Sequence, residues 1–99
     1  MSRKIKDYQF IQKLQELSSV QEIWLFGSRA RNDHQERSDI DLAILLKQDD
    51  QSSRLAIAQI IHEADTLLAI DITYLNDKLD PSFERLLNKD KILVYRNDS

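Results

Sequence analysis

Ile23-Trp24-Leu25-Phe26-Gly27-Ser28-Arg29-Ala30-Arg31, a polar loop, and then Ser38-Asp39-Ile40-Asp41-Leu42-Ala43-Ile44 decide how this chain folds. Both runs gather large apolar side chains in stretches too short for a helix, which predicts strands over residues 21–26 and 40–46. The first strand ends at Gly27, the only glycine of the chain. Glycine there lets bare backbone approach a phosphate, and the helical turn expected over residues 28–32 aims free N–H groups at an anion. The Ser28 hydroxyl adds a donor, and Arg29 and Arg31 are near enough to offset phosphate charge or, alternatively, to pair with Glu36 or Asp33.

Strand side chains alternate faces, so Asp39 and Asp41 point the same way, with Cα atoms roughly 6.6–7 Å apart. A third carboxylate, Asp71, stands inside Ile70-Asp71-Ile72-Thr73-Tyr74-Leu75, a β-branched and aromatic run that predicts another strand. Three converging carboxylates repel one another and raise their own pKa values. Magnesium removes that penalty, because it takes hard oxygen ligands from one or two carboxylates and fills its other positions with substrate phosphates. Two such ions about 3.5–4 Å apart serve an in-line displacement at phosphorus. Gly27 and Ser28 are therefore candidate phosphate contacts, and Asp39, Asp41 and Asp71 are candidate metal ligands and catalytic groups.

Working outward, residues 4–18 place Ile5, Tyr8, Ile11, Leu14 and Leu17 three apart, an amphipathic helix. Residues 53–68 repeat the pattern, with Ser52 or Ser53 as N-cap. Asp80-Pro81 opens a further helix carrying Phe83, Leu86 and Leu87. Residues 91–95 form a last strand. The order α-β-turn-β-α-β-α-β predicts an α/β (α+β) domain, a mixed central sheet of about four strands with helices packed on it.

Ninety-nine residues predict one domain, 1–99, around a single modest core. An apolar fraction of 41% and a charged fraction of 31% are ordinary for a soluble protein. No run of about 18 apolar residues exists to span a membrane, and no leader pattern opens the chain. There is no cysteine, which excludes disulfides and fits a cytoplasmic location. The net charge of −3 argues against direct nucleic-acid binding and suits a metal–nucleotide ligand or a basic partner.

Each signal alone has a bland reading. A Gly-Ser step after a strand is ordinarily a turn, and a lone Asp-x-Asp is ordinarily a solvated face. One glycine rules out a dinucleotide or Walker loop, and Asp39-x-Asp41 lacks the glycine and distal glutamate of an EF-hand. The conjunction of strand, Gly-Ser turn, Asp-x-Asp strand and third acidic strand carries the reading. His34 and His62 read as solvated, Trp24 as core, and Lys89-Asp90-Lys91 as a surface turn.

Leu25-Phe26-Gly27-Ser28-Arg29-Ala30-Arg31 with Ser38-Asp39-Ile40-Asp41-Leu42 resembles the signature of the minimal nucleotidyltransferases, small members of the DNA polymerase beta superfamily. Ile70-Asp71-Ile72 resembles their third acidic strand. The resemblance implies that Gly27, Ser28 and Arg29 bind a nucleoside triphosphate, and that Asp39, Asp41 and Asp71 bind Mg²⁺, two ions in all. It also implies ATP as substrate and a HEPN-family protein as partner. In such pairs the nucleotidyltransferase is the antitoxin and transfers AMP to a tyrosine of the toxin. A non-catalytic module that neutralises the HEPN partner by complex formation is the alternative, and transfer to a small molecule is a third. The family carries glycine where this chain has Asn32, a residue that tolerates left-handed dihedrals.

Overall fold

The computed structural model describes residues 4–33, 35 and 37–98. A 3-10 turn, Ile5–Asp7, leads into α1 (Gln9–Gln15), β1 (Val20–Phe26), α2 (Ser28–Arg31) and β2 (Ile40–Leu46). There follow α3 (Gln51–His62), β3 (Ile70–Tyr74), α4 (Pro81–Asp90) and β4 (Ile92–Arg96). The strands form one sheet in the order β3-β2-β1-β4. β1 runs antiparallel to β2 and β4, while β2 and β3 are parallel, so the sheet is mixed as expected.

The register sorts the side chains into two faces. Ile23 lies opposite Ile44, Leu25 opposite Leu42, and Leu42 opposite Ile72. These join Phe10, Ile11 and Leu14 of α1 and Ile57 of α3 in the buried core. The other face carries a row formed by Phe26, Asp41 and Asp71, because Phe26 pairs with Asp41 and Asp41 with Asp71. A second row, Trp24, Ala43 and Thr73, runs beside it.

Two expected helices are shorter than their periodicity, and Asp65 bears on the start of one and the end of the other. The helix expected over 4–18 breaks at Tyr8, whose side chain does not cap α1. The Asp65 carboxylate caps it instead, accepting from Gln9 N at 3.2 Å and Phe10 N at 3.3 Å. Helix α3 must therefore stop at His62 so that the next turn can deliver Asp65; Leu67, beyond that stop, is 106% exposed. The N-cap of α3 is Asp50 rather than either serine, accepting from Ser53 N at 2.8 Å. Asp80 and Pro81 open α4 as expected.

Candidate active site

Gly27 has φ 75° and ψ −156°, a region open essentially to glycine alone. It is also pressed against an acid: a Cβ at this position would lie 2.5 Å from Asp41 Oδ2. One residue thus supplies both the bend after β1 and the close approach of backbone to carboxylate. Its carbonyl accepts from Ala30 N and Arg31 N, both at 3.1 Å, which closes the turn of α2. That turn ends at Asn32, in the left-handed region at φ 62°, ψ 27°. Asparagine therefore holds the conformation for which glycine is the usual choice.

Asp41 and Asp71 meet across the parallel β2–β3 pair. The Asp41 carboxyl is pushed above the ordinary range, first by burial, then by the charges of Asp71 and Asp39 and a hydrogen bond with Asp71; the Arg29 charge opposes the rise. Asp39 is exposed just before β2, close enough for its charge to be felt at Asp41. Among the described residues, no three His, Cys, Asp or Glu side chains are gathered to hold a metal as they stand. The Asp41–Asp71 pair nevertheless fits a hard cation: two oxygen-bearing groups whose mutual repulsion a cation would relieve.

Arg29 does something spacing does not reveal. Its Nη2 and Nε donate to the Ser38 carbonyl at 2.7 and 3.1 Å, and Nε also to the Asp39 carbonyl at 3.3 Å. The guanidinium ties α2 to the segment that enters β2 and carries Asp39. Arg31 pairs with Asp33 at 3.1 Å and with Asp90 at 3.0 Å. The Lys89-Asp90-Lys91 run is therefore no mere surface turn: the Asp90 side chain is 14% exposed, and Lys91 Nζ sits 4.5 Å over the Trp24 ring. Trp24 is only half-buried on the acid-bearing face, its Nε1 donating to Glu22, rather than in the core. Arg31–Asp90 spans 59 residues, and nothing in the sequence pattern pairs its ends. His34 and Glu36 lie outside the described residues, and His62 is exposed.

The family model of polymerase beta nucleotidyltransferases matches residues 8–99. The chain belongs to the polymerase beta nucleotidyltransferase family. Its fold is shared by a toxin–antitoxin complex crystallised with AMP-PNP, at 22% identity and a TM-score of 0.67, covering 91% of this chain and 73% of that one. It is shared also by the tri-AMPylated Shewanella oneidensis HEPN toxin in complex with its MNT antitoxin, at 22% identity, a TM-score of 0.59 and coverages of 90% and 69%. The MntA–HepT toxin–antitoxin complex matches with the same identity and coverages and a TM-score of 0.58. No curated protein matches the sequence. Among the described residues of this nucleotidyltransferase, no helix is long and apolar enough to cross a membrane.

Proposed function

We propose that the chain is a Mg²⁺-dependent adenylyltransferase of the cytoplasm that modifies a tyrosine of a HEPN toxin and thereby acts as its antitoxin. One observation carries the proposal: Asp41 and Asp71 share a register position, and Gly27 brings bare backbone against Asp41. An acid pair beside a close-approach glycine is a place where phosphate and cation can meet. The AMP-PNP and AMPylated-toxin neighbours supply the nucleotide and the class of partner.

In this reading Gly27 and Ser28 receive the triphosphate of ATP, with Arg29 offsetting its charge, and Asp39, Asp41 and Asp71 hold Mg²⁺. Mg²⁺ held by these carboxylates would neutralise phosphate charge and make an attacking hydroxyl more acidic. The acceptor oxygen forms a bond to the α-phosphorus as the bond to the bridging oxygen breaks, and pyrophosphate leaves. Asp71, on the outer strand of the pair, takes the proton of the attacking hydroxyl. Arg29 keeps Asp39 in place during this exchange through the Ser38 and Asp39 carbonyls.

A second reading, neutralisation by occlusion, is favoured by the carboxylates not being gathered three together among the described residues. The test is label transfer from α-labelled ATP with Mg²⁺ and the HEPN partner, alongside protection of cells from the toxin. Adenylylation predicts that Asp41→Ala abolishes both label and protection while the two proteins still bind. Protection equal to wild type by Asp41→Ala makes occlusion the correct account.

A further inference from the structure

A slot of about 170 Å³ opens beside the same glycine, between the end of β1 and helix α4. Its walls are aromatic and aliphatic: Phe26 and Phe83 meet edge to face at 5.7 Å, and Leu87 closes the floor. Leu86 stands at the mouth and is 61% exposed, an apolar side chain that the packing of the domain leaves to solvent. The remaining wall is polar, made by the Arg31–Asp90 pair. Arg31 takes up one oxygen of Asp90, and a carboxylate retains further acceptor positions.

We propose that this slot binds the nucleobase of the triphosphate, with Phe83 and Leu86 against its ring face and Asp90 accepting from an amino group on its edge. The inference rests on the assignment of Gly27 to the phosphates. Gly27 lies against Asp41 and also lines the slot, so the slot adjoins the place where the phosphates of a nucleotide would meet the acids. The chemistry of the walls matches a base: rings prefer aromatic and apolar faces, and amino groups on base edges are read by carboxylates. The domain would then hold the whole nucleotide with its own helix.

The test compares ATP with inorganic tripolyphosphate, which shares the phosphates and lacks the base. Affinities of both, with Mg²⁺, are measured by calorimetry on wild type, Phe83→Ala and Leu86→Ser. Leu86 is exposed, so its substitution spares the fold even if Phe83→Ala does not. The proposal predicts that ATP weakens about tenfold in Phe83→Ala and about threefold in Leu86→Ser, while tripolyphosphate binding is unchanged. Unchanged ATP affinity in Leu86→Ser with wild-type tripolyphosphate binding overturns the slot and leaves the phosphate site standing. Loss of partner binding in that variant, with ATP unaffected, gives the slot to the partner and overturns it too. Wild type that binds neither ligand removes the phosphate assignment, and the slot falls with it.

Discussion

Substituting Gly27 by alanine separates two costs that the structure places on one residue. The backbone at φ 75°, ψ −156° is a glycine region, and holding another residue there costs about 1–3 kcal/mol. The new Cβ would also stand 2.5 Å from Asp41 Oδ2 and 3.3 Å from its Cγ. Asp41 is hemmed in by Asp71, so its carboxylate must leave its preferred rotamer, at about 0.5–1.5 kcal/mol. Together these give about 1.5–4.5 kcal/mol, or a fall in Tm of roughly 6–36 °C for a domain of this size. Denaturant unfolding of the four members of a Gly27→Ala and Asp41→Ala cycle resolves the two costs. Without the carboxylate only the backbone cost remains, so the coupling should be about 0.5–1.5 kcal/mol. A cycle additive within about 0.3 kcal/mol, or a Gly27→Ala variant as stable as wild type, refutes the close approach.

Other consequences follow from single contacts. The native state binds the Asp41 proton more tightly than the unfolded chain does, because its carboxyl is raised. Its contribution to stability is full below about pH 4, the unfolded value, and is lost as pH rises through the higher native value. Asp41→Asn escapes that loss, so in metal-free buffer at pH 7 it should melt above wild type; a lower Tm contradicts the repulsion. Asp65→Ala should cost about 1 kcal/mol by removing the carboxylate that caps α1, read as a shift in urea midpoint at constant slope. Asn32→Val should cost about 1–2 kcal/mol while Asn32→Gly costs nothing, since the position is left-handed; equal thermal stability of the two would show the turn to be relaxed. Arg29→Ala should lower label transfer severalfold with a small change in Tm, because it frees the segment carrying Asp39.

Much of this was legible before any coordinates. Alternating and continuous apolar runs fixed β1, β2 and β3 within a residue or so, because strands buried on one face must show that pattern. The Asp41–Asp71 meeting was expected from an acid inside an apolar strand run, and the parallel register pairs the two although Asp71 itself is exposed. The ends of the helices were not legible. Periodicity ran on past Tyr8 and His62, and the breaks there serve a contact between residues 55 and 56 positions apart. The positioning role of Arg29 and the Arg31–Asp90 wall were hidden for the same reason: each is a tertiary pairing, and local spacing carries no trace of it. Asp50 outranked two neighbouring serines as N-cap because α3 begins a turn earlier than its apolar residues suggest.

The most direct trial of the site is calorimetric titration of the protein with ATP, with and without Mg²⁺, in wild type and in the Asp41→Asn and Asp71→Asn variants. The account predicts binding that needs Mg²⁺ in wild type and is lost in both variants although they remain folded. ATP binding of equal strength in wild type and in both variants would contradict it.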